Sequence, residues 1–408
     1  MTDRIFAAGT AYLDYNATAP LRPEAFEAVV AAMGSVGNAS SAHGPGRGAG
    51  RRVDAARRHL ANLLNCSPGE LVFTSGATEA NNLALRAAFA SRTTLVTSPL
   101  EHPAVLEVAK ELTAAAPSEL KLLPVDEDGV VDLDALERSL ATATVSLVSL
   151  MAANNETGVL TDLAPVVKLA HEAGALVHTD ATQLVGRLPL DLTDVDVDLL
   201  SLSAHKFGGP QGIGALFMRR GSDLPYRPLI FGGGQERGWR AGTLNVPGIA
   251  GAGAAAEAAG RMLDEEGARI ARLRDELERM LVEELSDCRI NGALTDRLPG
   301  VSSVTFRGAT ADAVLASMPE VAASEGSACS SGAPGPSHVL LAMGRSREEA
   351  DCTVRFSLGF ATTADDVKRA VAATVRAVRK VRATMSIDLT PPRPSAVRRP
   401  DPITERTS

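Results

Sequence analysis

The first 220 residues alternate two patterns of apolar and polar positions. Short apolar runs at LVFTS (71–75), TLVTS (94–98), LKLLPV (120–125), VSLVSL (145–150), ALVHTD (175–180), DLLSLS (198–203) and IGALFM (213–218) predict seven strands. Between most of them lie segments of helical period: Thr78 to Ala90, Ala104 to Ala115, Leu133 to Leu140 and Leu163 to Ala173. Strands alternating with helices predict an α/β fold whose sheet is mainly parallel and covered on both faces. Ligands of such sheets bind at the carboxyl ends of the strands. Thr78, His102, Asn155, Asp180, Ser203, His205 and Lys206 all fall at those ends.

The pattern changes further along. Ala250 to Glu284 reads as one long amphipathic helical stretch. Beyond it come short strands, VSSVTF (301–306) and TVRFSL (353–358), and helices, Ala311 to Ser317 and Ala364 to Thr384. These predict a smaller α+β domain. Residues 17–255 are then the large domain, and 1–16 with 256–386 the small one. The end, 387–408, is rich in Pro and Arg and poor in apolar residues, which predicts a disordered tail.

Composition narrows the function. A chain of 408 residues suits two domains, and 45% hydrophobic with 22% charged residues is ordinary for a globular protein. A net charge of −8 argues against direct nucleic-acid binding and against a membrane surface. The N-terminus lacks a basic-then-apolar signal pattern, and GIAGAGAAAEAAG (248–260) is too short and too interrupted to span a bilayer. Cys66, Cys288, Cys329 and Cys352 are far apart and form no C-x-x-C pair. Neither a zinc site nor a disulfide framework is expected, and a reducing, cytoplasmic setting fits.

Lys206 carries the most specific chemistry. It sits in SLSAHKFGGPQGIGALF (201–217), between two apolar runs. A lysine held there is costly unless it acts, and a desolvated amine is a nucleophile toward carbonyls. An aldehyde cofactor, pyridoxal 5'-phosphate, is the natural partner. Asp180 ends a strand with Gln183 three residues on, so a helical turn would face both one way, and a carboxylate beside a pyridine nitrogen keeps that nitrogen protonated. FTSGATEANNLAL (73–85) runs from strand through a glycine turn into a helix; its first amides, at Ala77 and Thr78, and the Thr78 hydroxyl suit a phosphate, with Ser203 and His205 completing a cup. His102 in LEHPAV (100–105) can stack on a ring and move protons. Asn154 and Asn155 follow a strand, and Arg355 lies on one face of TVRFSLG (353–359), opposite Val354 and Phe356. Taken singly, each has a structural explanation: a helix cap, a loop histidine, a turn, a solvent-facing strand arginine.

Two glycine-rich stretches remain. FGGGQERGWRAGTLN (231–245), with Arg237, Arg240 and Thr243, reads as a loop able to hold a phosphate across a subunit boundary, or as a plain connection. AHGPGRGAG (42–50) reads as a loop entering a helix. Cys329 lies among small residues in SEGSACSSGAPGPSHVL (324–340), a setting for an exposed nucleophile, whereas the other three cysteines lie near helix or strand segments.

LDYNATAP (13–20), GNASSAHGPGR (37–47), FTSGATEANN (73–82), EHPAV (101–105), NNETG (154–158), HTDATQ (178–183), SAHKFGGPQGIGAL (203–216), GGGQERGWRAGTLN (232–245), GSACSSG (326–332) and VRFSLG (354–359) occur in this order. Through them the chain resembles the cysteine desulfurases, the NifS/IscS-like branch of the class V aminotransferases with fold-type-I architecture, over about Tyr12 to Lys380. The resemblance implies that Lys206 anchors pyridoxal phosphate, His102 stacks on it, Asp180 meets its pyridinium and Gln183 its phenolic oxygen. It implies that Ala77, Thr78, Ser203 and His205 bind phosphate, with Thr243 from the second subunit of a homodimer. Asn155 and Arg355 would hold the carboxylate of L-cysteine, and Cys329 would take its sulfur for an acceptor protein, with a transient iron–sulfur cluster contact there. A selenocysteine lyase and another class V enzyme are the nearest rivals; a non-catalytic scaffold would have lost some of these residues. VLTDLAP (159–165), Gly335 and the Pro/Arg tail depart from the family pattern and leave the acceptor undefined.

Overall fold

The computed structural model describes residues 9–114, 117–222, 224–225, 227–326 and 335–385. Cys329 and the tail from 387 onward lie outside the described residues. The chain enters through strand β1 (Ala11–Tyr12), then helices α1 (Pro23–Met33) and α2 (Gly44–Leu64). The central sheet follows: β2 (Leu71–Thr74), β3 (Thr94–Thr97), β4 (Glu119–Leu122), β5 (Val145–Ser149), β6 (Leu176–Asp180), β7 (Leu199–Ser203) and β8 (Gly214–Met218). Each predicted run forms one of these strands. Helices α3 (Ala77–Ala88), α4 (Pro103–Thr113), α5 (Leu133–Thr142) and α6 (Leu163–Glu172) connect them.

The sheet order is β2-β8-β7-β6-β5-β3-β4. The pairs among β4, β3, β5, β6 and β7 are parallel, and β8 runs antiparallel to both β7 and β2. The apolar runs are continuous because both faces are covered, so most strand side chains are buried. Asp132 and Asp162 start α5 and α6 by accepting from the amides of Ala135 and Ala164.

Helix α7 (Val246–Glu284) has 39 residues and joins two cores. Its first half packs on α1 and α2, where Ile249, Ala252 and Ala256 join the apolar side of the central sheet. Its second half carries Ile270, Leu273, Leu277 and Leu281 into a separate core. There β9 (Cys288–Ile290), β10 (Val301–Phe306), β12 (Ser324–Glu325) and β13 (Thr353–Ser357) form an antiparallel sheet ordered β12-β13-β10-β9, while β11 (Val321–Ala322) pairs with β1. Helices α8 (Ala311–Ala316), α9 (His338–Ala342), α10 (Arg347–Asp351) and α11 (Ala364–Met385) complete the fold.

Two expectations change. The AHGPGRGAG stretch is helical from Gly44 onward, because His43 Nδ1 accepts from the Gly46 amide and Pro45 suits a first helical turn. The arginines of the 231–245 segment bind protein: Arg237 donates to the Leu71 carbonyl, and Arg240 pairs with Glu79 at 2.9 Å. Beside them, buried Glu236 pairs with Arg57 and accepts from the Phe73 amide.

Candidate active site

The carboxyl ends of the strands open into a cavity of 450 Å³. Ala77, Thr78, His102, Asn155, Asp180, Gln183, Ser203, His205 and Lys206 all line it, brought there from five separate strand ends. Asn81, Glu79, Met151 and Gln211 line it too, and the sequence reading did not single them out. A signal existed for Asn81: it lies three residues after Thr78 on a helix, on the same face.

Lys206 is buried on a single 3-10 turn, Ala204–Lys206, that ends β7. Its Nζ donates to the carbonyls of Asn16 at 2.5 Å and Ala17 at 2.9 Å. Asp180 ends the neighbouring strand. Its Oδ1 accepts from the Thr182 amide at 3.0 Å and its Oδ2 from Asn81 Nδ2 at 2.7 Å. Both contacts orient the carboxylate.

His102 caps α4. Its Nδ1 accepts from the Ala104 amide at 3.0 Å, which leaves the ring proton on Nε2. Burial lowers its pKa, with Lys206 acting in the same sense and Asp180 opposing, so the ring is neutral near pH 7. His205 is pushed down to about 4 by burial, then by Lys206 and Arg187. Its Nδ1 lies 3.2 Å from Thr18 Oγ1. Beside them, Glu101 is fully buried; burial raises its carboxyl well above the ordinary range while one oxygen accepts from the Met151 amide.

Arg355 and Thr243 do not line the cavity. Arg355 lies behind it, wholly buried on β13, with Nη2 on Asp14 at 2.9 Å and Nη1 on the Asn155 carbonyl at 3.0 Å. The strand is covered on both faces, so no solvent-facing side exists for the arginine. Thr243 is exposed.

The cavity suits a phosphorylated pyridine by its donors and acceptors. Helix α3 starts at Gly76 with no side-chain cap, so its first amides are open to an anion. A Cβ on Gly214 would sit 2.7 Å from Gly76 Cα and 2.5 Å from the Leu202 carbonyl, so the phosphate loop rests directly on β7 and β8. Gln183 Oε1 and Asn81 Oδ1 are buried without a protein partner. Such groups need a ligand or water to satisfy them.

Known proteins agree with this reading of the fold. The family model for aminotransferase class-V matches residues 11–370. A cysteine desulfurase of Cereibacter sphaeroides is 45% identical over 365 residues, 88% of this chain and 93% of its own length. A NifS-like protein from Rickettsia africae superimposes with a TM-score of 0.82 at 32% identity, covering 91% of this chain and 99% of its own. A structure of SspA in complex with cysteine has a TM-score of 0.75 at 34% identity, covering 85% and 98%. The chain belongs to the class V aminotransferase family. Within it the chain stands with the cysteine desulfurases, and its cofactor is pyridoxal phosphate.

Proposed function

We propose that the chain converts L-cysteine to L-alanine and leaves the sulfur on Cys329 as a persulfide. The convergence of Lys206, Asp180 and the open α3 amides on one cavity carries this reading. Lys206 would anchor the cofactor aldehyde, with Asp180 at the ring nitrogen, Gln183 at the phenolic oxygen and His102 against the ring. Ala77, Thr78, Ser203 and His205 hold the phosphate. The chemistry that bound pyridoxal phosphate would supply is that of an electron sink for the substrate α-carbon.

This chain's own groups do the rest. Asn155 and Arg355 orient the substrate carboxylate, Asn155 from the cavity wall and Arg355 from behind it, where its Nη1 donates to the Asn155 carbonyl. Lys206 takes the α-proton and later returns a proton to carbon. The Cys329 thiolate attacks the substrate sulfur: the carbon–sulfur bond breaks, a sulfur–sulfur bond forms, and the former Cβ gains a proton to become the methyl group of alanine. No outside oxidant is needed. Cys66 and Cys288 are poor rivals, since burial pushes their thiols up to about 12 and about 11.

We further read residues 17–255 as the cofactor domain and 1–16 with 256–386 as the small domain. The protein acts as a homodimer in which Thr243 completes the neighbour's phosphate site; Phe231, in the same glycine-rich segment, is 83% exposed, which suits a buried place in an assembly. Its persulfide passes to an acceptor protein, in iron–sulfur cluster assembly or another sulfur pathway, in the cytoplasm. Replacing Lys206 by Ala tests the core of the reading. Visible absorbance from bound pyridoxal phosphate should vanish along with alanine formation. An unchanged spectrum would refute it.

A further inference from the structure

Resting on the reading that Lys206 is the working amine, we propose that Arg187 and Asn16 are its positioning residues: together they fix the Asn16 and Ala17 carbonyls as the acceptors on which the amine rests whenever it is not covalently engaged. Backbone hydrogen bonds hold residues 13–20 at Leu13, Asp14, Tyr15 and Ala19, whereas the Asn16 and Ala17 carbonyls accept from the side chains of Lys206 and Gln183. Arg187 supplies the tie. Its Nη1 donates to Asn16 Oδ1 and its Nη2 to the Tyr15 carbonyl at 2.9 Å. The same guanidinium reaches the carbonyl of Lys206 itself, from Nε at 3.3 Å and Nη2 at 3.2 Å. One planar fork therefore holds both sides of the contact, the residue that donates and the turn that accepts.

Asn16 extends the tie across the cavity. It is wholly buried. Its carbonyl also accepts from Gln183 Nε2 at 3.2 Å, and its Nδ2 donates to the Asn155 carbonyl at 2.9 Å, the same carbonyl that takes Arg355. A shift of Asn16 thus moves the partners of Lys206, Gln183 and Asn155 at once. Arg187 forms no ion pair with a carboxylate among the described residues, and burial pushes its guanidinium down to about 10. Retaining a half-buried cation without a carboxylate partner for contacts that a neutral amide could make is costly, and the need to span three acceptors in one plane accounts for it.

The test uses full-length protein loaded with pyridoxal phosphate and compares Arg187→Gln, Arg187→Lys and Asn16→Ala. Arg187→Gln should lower kcat by about 10- to 100-fold while KM for cysteine stays within about threefold. Arg187→Lys keeps the charge but not the fork and should remain impaired. Visible absorbance should also rise more slowly when pyridoxal phosphate is added to each variant apoprotein. If Arg187→Gln does not fold, Asn16→Ala decides, because it keeps the backbone carbonyl and removes only the side chain that Arg187 holds. Normal kcat in the folded variants, or losses that only track a lower melting temperature, would overturn the proposal. Lys206→Ala is measured alongside: if it retains the visible absorbance, the reading of Lys206 fails, whereas its loss together with a normal Arg187→Gln enzyme removes the positioning role alone.

Discussion

Asn81 donates from Nδ2 to Oδ2 of Asp180 at 2.7 Å, linking helix α3 to the end of β6 across 99 residues of sequence. The contact fixes the carboxylate that faces the cavity and adds a hydrogen bond to its charged form. Replacing Asn81 by Leu keeps a similar volume and removes that donor. A hydrogen bond to a charged group is worth about 1.5–3 kcal/mol, so affinity for pyridoxal phosphate should fall by about 10- to 100-fold. Titration of the apoprotein by absorbance measures it, and an unchanged dissociation constant would remove Asn81 from the site.

His178 lies wholly buried between Ser149 and Ser201, with Nδ1 2.8 Å and Nε2 3.1 Å from their hydroxyls. Burial pushes its pKa down to about 4, against a smaller opposing pull from Asp180. Below pH 6.5 the unfolded chain takes up a proton that the folded protein refuses. Stability is therefore retained above pH 6.5 and lost as pH falls toward 4, by on the order of 3 kcal/mol. His178→Gln should flatten this part of the curve of melting temperature against pH. Equal slopes for both proteins between pH 6.5 and 4 would show that His178 does not titrate as described.

Burial raises the thiols of Cys66, Cys288 and Cys352. At pH 8 the thiolate fraction of Cys66 or Cys288 is about a thousandth or less, against roughly a quarter for an ordinary thiol. Iodoacetamide should therefore modify Cys329 first in the native protein and reach the other three only after unfolding. Peptide mass spectrometry over a time course reads the order, and equal early labelling of Cys66 would contradict it.

Gly253 sets the closest approach of α2 and α7: a Cβ there would lie 2.3 Å from Ala56 Cα. That neighbour is backbone and cannot swing away. Gly253→Ala should cost about 1–3 kcal/mol through forced separation of the helices. The cavity is formed elsewhere, so turnover per folded molecule should persist. Denaturant unfolding measures the loss, and an unchanged midpoint would show that the helices part without strain.

The central strands other than the exposed edge strand β4 were legible because strands buried on both faces read as continuous apolar runs, and the chemistry was legible because it sits where those runs stop. Short elements were not: the five-residue helices α9 and α10 and the two-residue strands β1, β11 and β12 carry too few residues for a period to show. Gly44 to Gly50 reads as loop by composition, yet it is helix, since the Gly46 amide has a cap and its missing Cβ admits the Ser41 carbonyl. Asn16 and Arg187 escaped notice because their roles come from contacts spanning 171 residues. No local pattern records such a pairing.

The sulfur itself gives the most direct test. After incubation with sulfur-labelled L-cysteine and no acceptor, the peptide containing Cys329 should carry one extra labelled sulfur, in step with the alanine released. The Cys329→Ala protein should keep the visible absorbance of its cofactor yet form neither persulfide nor alanine. Labelled sulfur on Cys66, Cys288 or Cys352 instead, or alanine formation that survives Cys329→Ala, would contradict the assignment of the nucleophile and the mechanism built on it.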